Sequence, residues 1–302
     1  YANLADIMPD SDLNSLKNDL MSNIESDKDS RGDWEKTYRE GLEYLGMKYE
    51  ERSQPFEGAS GVMHPLLSES VTQFQAQAYN ELLPSQGPVK TQVLGMTTPE
   101  TEQQAARVQE FMNYQLMQVM KEYDPETDQM LFYLPLSGSA FRKVYYDQNL
   151  GRAVSKFIPS EDLIVPYSAT DLHSATRITH VINMPMNDIR KLQQIGFYKD
   201  VDLDSGNMMA DETDDIQEGI DELQGVKPSY DDDDTCKVHE IHTELDIEGF
   251  EDMNAEGEDT GIKLPYIVTI GNNKVLSIRR NYKENDQLKQ RINYFVHYKF
   301  LP

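Results

Sequence analysis

Apolar residues recur three and four apart as far as Leu134, and from Phe141 onward they fall in every second place. The first spacing gathers side chains on one face of a helix, the second on one face of a strand. A chain that changes period in this way predicts an α+β fold: a helical N-terminal part, a mixed helix and strand region, then a β-rich segment.

The helical stretches can be placed from their stripes and their punctuation. Asp12 is placed to cap a helix with Leu13, Leu16, Leu20 and Ile24 on one face, and a second stripe, Trp34, Tyr38, Leu42 and Leu45, follows Asp33. After the loop Gln54-Pro55-Phe56-Glu57-Gly58-Ala59-Ser60-Gly61, Pro65 opens a helix carrying Leu67, Val71, Phe74, Ala78 and Leu82, and Leu83-Pro84 stops it. Val89 to Leu94 alternates and predicts a short strand. Thr98-Pro99-Glu100 then caps a helix running to about Lys121. That helix is apolar over a wide face, with Phe111, Tyr114 and Met117 beside Val108, Met112, Leu116 and Val119, and is expected to be buried on two sides. Asp124-Pro125-Glu126 restarts a helix that Pro135 and Ser137-Gly138 should break.

The β pattern begins with Phe141 to Tyr146, a turn at Asp147 to Gly151, and Val154 to Ile158, a hairpin with a rather long loop. Leu163 to Val165 and Ile178 to Ile182 add short strands, and Asn187 caps a brief helix, Asp188 to Ile195, closed by Gly196. Val238, Ile241, Leu245 and Ile247 resume the strand pattern. Tyr266 to Ile270 and Val275 to Ile278 flank Gly271-Asn272-Asn273, residues that tolerate the positive φ of a tight hairpin turn.

Charge is distributed unevenly. Between Asp200 and Asp259 there are 23 Asp and Glu against two basic residues, a net of −21, leaving 30 acidic and 26 basic residues in the rest of the 302-residue chain. Non-specific affinity for nucleic acid comes from clustered Lys and Arg, so this balance argues against a chain that grips DNA. Hydrophobic content of 38% suits an elongated subunit with much polar surface. No run approaches the ~20 apolar residues of a spanning helix, and Tyr1 to Asp12 lacks a signal-peptide pattern, so the chain is read as soluble and not secreted. A single cysteine, Cys236, makes no internal disulfide. The start at Tyr1 and the stop at Pro302 are those expected of a segment of a longer polypeptide.

Catalytic signatures are missing where they would be sought. Gly58-Ala59-Ser60-Gly61 lacks the lysine and the strand of a phosphate loop, Ser137-Gly138-Ser139 reads as a helix-to-strand turn, and His239 and His242 fall on opposite strand faces. No catalytic residue, cofactor or metal is assigned, and the chain is read as a non-enzyme. Asp200, Asp202 and Asp204 alternate as hard-cation ligands would, but the glycine comes one position late for a calcium loop, so a solvated acidic loop is preferred.

The stretch from Arg52 to about Tyr198 resembles the portal protein of short-tailed bacteriophages. Phe56-Glu57-Gly58-Ala59-Ser60-Gly61-Val62-Met63-His64-Pro65-Leu66-Leu67, followed by the Gln-rich helix to Leu82-Leu83-Pro84, is similar to the start of the portal wing. Asp124 to Gly138, then Ala140-Phe141-Arg142-Lys143-Val144-Tyr145-Tyr146-Asp147, resembles its helix-to-hairpin step. Pro159-Ser160-Glu161-Asp162-Leu163-Ile164-Val165-Pro166, Arg177-Ile178-Thr179-His180 and Asn187-Asp188-Ile189-Arg190-Lys191-Leu192 continue the same order over about half the chain.

The resemblance implies a homo-oligomeric ring, usually of twelve subunits, at the unique capsid vertex of a virion. Its implied partners are the major capsid protein, the terminase large subunit, a tail adaptor and passing double-stranded DNA, with no membrane. The expected organisation is an N-terminal helical segment (1–52), a wing-like domain (53–199), an acidic loop (200–235) and a β-rich segment with a basic end (236–302), the last belonging to the clip or the wing. The long channel-lining helices are not visible, as expected of a chain cut before the rest of the stem and crown. Asp231, Asp232, Asp233 and Asp234 would either line a channel and repel DNA or form a solvated outer rim. One carboxylate about 10 Å from a phosphate contributes only about 0.1 kcal/mol after screening, so repulsion would need a ring of copies. Arg279, Arg280 and Lys283 are the candidate contact for an adaptor or motor. Another head or neck structural protein is the nearest alternative function, and a calcium-dependent surface module a more distant one.

Overall fold

A computed structural model describes residues 3–46, 56, 64–148, 150–203, 235–253, 256–283, 286 and 288–300. The fold is α+β. Its helices are α1 (Asp10–Asp29), α2 (Gly32–Leu45), α3 (Leu66–Leu82), α4 (Pro99–Tyr114), α5 (Tyr123–Ser137) and α6 (Met186–Gln194). Its strands are β1 (Ser139–Asp147), β2 (Arg152–Ile158), β3 (Leu163–Ile164), β4 (Arg177–Pro185), β5 (Thr235–Leu245), β6 (Leu264–Gly271), β7 (Lys274–Arg280) and β8 (Phe295–Lys299). They form two antiparallel sheets, ordered β2-β1-β8 and β3-β4-β5-β6-β7.

The chain divides into two compact units, and neither is a continuous segment. Unit 1 is Tyr1–Arg39 with Glu161–Asn293, and unit 2 is Glu40–Ser160 with Tyr294–Pro302. The four consecutive segments read along the sequence therefore do not correspond to the units of packing. Composition changes along the chain, whereas packing joins distant stretches.

In unit 1 the five-stranded sheet is covered on both faces. Ile241, Val268, Ile270 and Ile278 pack with Leu13, Leu20 and Ile24 of α1, while Val238, Cys236 and Leu276 pack with Met186 and Ile189 of α6. Val238 and Ile241 lie three apart in one strand and so point to opposite faces, which is why β5 is apolar on both sides. α1 begins before Asp12, with Pro9 at the capping position and Asp12 in the first turn, where a carboxylate still meets the positive end of the helix. Likewise Asn187 lies inside α6, not ahead of it, and Gly196 follows in the left-handed region at φ 71°. Long-range bonds fix the N-terminal residues to the sheet. Asn3 Nδ2 donates to the Leu276 carbonyl at 3.1 Å, the Ile278 amide donates to Asn3 Oδ1 at 2.9 Å, and Arg177 Nη2 meets Asp27 Oδ2 at 2.6 Å. The β6–β7 turn places Asn272 at φ 44° and Asn273 at φ 61°, the conformation two-residue hairpins require.

Unit 2 is built on α5. Met130, Leu131 and Leu134 are buried with Ala140, against Phe74, Ala78 and Tyr79 of the α3 segment and Phe157 of β2. Contrary to the sequence reading, α5 continues through Pro135; it ends at Gly138, whose φ is 78° and whose amide donates to the Leu134 carbonyl at 2.9 Å. The lost N–H lies in the last turn, and buried Leu131 and Leu134 hold that turn in place. β1 starts at once, so Ser137-Gly138-Ser139 is the helix-to-strand turn expected of it. Residues 89–94 are extended but form no strand: their backbone is bonded by side chains of α4, Val89 by Asn113 and Thr91 by Gln109. α4 carries a full capping box, Thr98 Oγ1 accepting from the Thr101 amide at 3.2 Å and Thr101 Oγ1 from the Thr98 amide at 2.9 Å. It gives way to a π-helical turn, Gln115–Val119, before Met120.

Candidate interaction surface

The two units bury apolar residues very unequally. Of 40 buried apolar side chains among the described residues, 27 lie in unit 1 and 13 in unit 2. Of 23 large apolar side chains left exposed, 7 lie in unit 1 and 16 in unit 2. Single exposed hydrophobics are ordinary, whereas such a concentration makes unit 2 the candidate interaction surface.

Much of that surface is α4. None of its residues is buried, which overturns the expectation of burial on two sides. The row Thr101, Ala105, Gln109 and Asn113 lies under the extended 89–91 segment and supplies its hydrogen bonds, so the helix spends its polar row inward. The apolar row beside it faces out: Val108 is 50% and Phe111 62% exposed, with Met112 and Tyr114 also exposed. Leu94 and Met96, ahead of the cap, are 89% and 85% exposed. Gly87 lets the segment approach α4. It holds φ 95°, and a Cβ there would meet the Asn113 side-chain amide. Gly87→Ala is expected to cost about 1–3 kcal/mol locally and to release the segment from α4, read as faster proteolysis between residues 84 and 97.

The second exposed apolar area is one face of the three-stranded sheet. Ala140, Arg142, Val144 and Tyr146 share that face of β1, and the register puts Tyr298 opposite Ala140 and Val296 opposite Arg142. α5 covers the Ala140 end. Val144, Tyr146, Val296 and Tyr298 remain exposed. Arg142, only 3% exposed, marks the border, donating to Ser155 Oγ at 3.2 Å, to Thr127 Oγ1 and to the Tyr123 carbonyl, with its guanidinium 4.6 Å over the Tyr123 ring. All of these acceptors are neutral.

The residues singled out from sequence are scattered by comparison. Asp200 and Asp202 are exposed, the Asp202 carbonyl accepts from Lys274 Nζ, and Asp204 lies outside the described residues. Among the described residues no three His, Cys, Asp or Glu side chains gather as a metal site would need. Asp231, Asp232, Asp233 and Asp234 lie outside the described residues, as does most of the Phe56 to Gly61 loop. Arg279 is half-buried, its guanidinium 3.9 Å over the Phe197 ring and donating to the Phe197 carbonyl at 2.7 Å; burial pulls its pKa below the usual arginine range. Arg280 is partly buried and bonded to the Tyr266 hydroxyl, and Lys283 alone of the three is exposed. Arg291 also turns inward, to the carbonyls of Ala175, Leu172 and His173. His242 is buried and bonded to Glu240 at 2.7 Å. Sequence reasoning missed β8, the open sheet face and the exposure of α4. The Val144/Tyr146 and Val296/Tyr298 alternation was the available signal.

No family model matches the chain, and no curated protein is significantly similar to it. No helix among the described residues is long and apolar enough to cross a membrane.

Proposed function

We propose that this chain is a structural subunit of a portal-type ring, the opening through which genomic DNA enters and leaves a tailed-phage capsid. The observation that carries the proposal is the excess of exposed apolar side chains on unit 2, including a four-turn helix with no buried residue. A helix of this composition gains about 1.5–3 kcal/mol for each large side chain it fully buries, so its unpaired face is best explained by assembly. The order of segments resembling a portal wing supplies the kind of assembly, and these segments run through α3, α5, β1, β3, β4 and α6.

In this reading the chain performs no reaction. It would bind copies of itself, usually twelve, contact the major capsid protein, and dock the terminase large subunit and then a tail adaptor while duplex DNA passes. Exposed Lys283 is the part of the basic end placed to touch such a partner. A different head or neck structural protein would use the same apolar surface, and stoichiometry separates the two. Native mass measurement and negative-stain imaging of the purified full-length protein are expected to show a closed, perforated ring. A monomer at all concentrations would overturn the proposal.

A further inference from the structure

The two open apolar areas of unit 2 differ in kind, and neither covers the other within one chain. One is the α4 helix with the Leu94 to Met96 turn, convex and narrow; the other is a sheet face on which α5 has already laid one helix. Helix on sheet is a standard two-layer packing, and among the described residues both the sheet face beside α5 and the apolar row of α4 stay exposed. With about 200 Å² for a large side chain, the exposed fractions of Leu94, Met96, Val108, Phe111, Met112 and Tyr114 amount to roughly 700–800 Å² and those of Val144, Tyr146, Val296 and Tyr298 to roughly 350–400 Å², together just above the ~1,000 Å² in total that a specific interface needs.

We propose that α4 of one copy lies on the Val144, Tyr146, Val296 and Tyr298 face of the three-stranded sheet of the next copy. The contact joins two different surfaces, so each copy offers one of each. Repetition then runs head to tail, closing into a ring if the rotation permits and into a filament if it does not. A second copy fits better than an unrelated partner because both halves of the interface stand on the same unit and together offer the roughly 1,000 Å² that a specific interface needs. This inference rests on the self-assembly reading above and adds the surfaces that carry it.

The test uses cysteine pairs in the full chain, where the only natural thiol, Cys236, is buried. Phe111→Cys and Tyr146→Cys change two side chains that are more than 60% exposed, so neither should disturb folding. Treated with a short bismaleimide, a mixture of the two single variants should give a crosslinked dimer that neither gives alone. The double variant should give a ladder of covalent oligomers. Crosslinking of Phe111→Cys to itself would overturn the proposal in favour of a two-fold α4 pair. A double variant crosslinked only within single chains would overturn it by showing that α4 covers its own sheet. An oligomer that persists in sedimentation without any crosslink would defeat this assignment alone, whereas a monomer would defeat the ring reading as well.

Discussion

Arg177→Met is expected to lower the stability of unit 1 by about 2–4 kcal/mol. Arg177 Nε and Nη2 both donate to Asp27 Oδ2, at 3.0 and 2.6 Å, across 150 residues of sequence, and the two side chains are only 15% and 10% exposed. Removing the guanidinium leaves the Asp27 carboxylate largely out of water with its main partner gone, and the slight exposure of the pair places the loss below that of a fully buried bridge. Replacing both residues, with Asp27→Leu beside Arg177→Met, should recover most of the loss, because two apolar side chains of suitable size need no desolvation. Urea unfolding read by fluorescence tests this conveniently: the chain has one tryptophan, Trp34, stacked on Tyr38 at 5.3 Å and lying in unit 1. A single variant as stable as the parent would show that α1 is held on the sheet by its apolar row alone.

That ion pair also shows what the sequence could not disclose. Local features were legible wherever one short stretch determines its own backbone: Thr98-Pro99 as a cap, Gly138 as a helix stop, Asn272-Asn273 as a hairpin turn. The α+β class followed from the change of period. Partnership was not legible, because it depends on residues far away. Alternation in residues 89–94 correctly indicated an extended backbone, but its hydrogen bonds come from the Asn113 and Gln109 side chains and not from a strand. Phe295–Lys299 completes a sheet with β1, about 150 residues earlier; its alternation could have marked a strand, but not the strand it pairs with. Asn3 and Asp27 bind the N-terminal helices to the β-rich unit through contacts that no composition boundary reveals. The basic end taught a similar lesson. Counting charge found Arg279, but its guanidinium is largely spent on the carbonyl and ring of Phe197 in its own unit. Helical period identified the apolar row of α4 correctly. What the period leaves open is whether that row meets the chain's own core or another molecule.

Phe111→Glu combined with Met112→Glu distinguishes those two possibilities with the largest effect expected of any surface change. Both side chains are exposed in the single chain, and glutamate has a higher helix propensity than phenylalanine, so α4 and the melting temperature of the isolated subunit should be unaffected. In an assembly the same residues would lie at the centre of the contact, where an aromatic anchor is typically worth 2 kcal/mol or more and an unpaired buried carboxylate costs further. A loss of about 3–4 kcal/mol per contact corresponds to a dissociation constant raised roughly 100- to 1000-fold. Because every subunit of a ring makes the contact twice, the assembly should fall to single subunits in sedimentation velocity at concentrations where the parent is fully associated. Ala106→Glu, at an exposed position turned away from Val108, Phe111 and Met112 on the same helix, adds a carboxylate outside the apolar row and should leave the assembly intact. If the double glutamate variant instead loses its fold, the row belongs to an intramolecular core. If it stays assembled, the subunits meet through some other face of the protein.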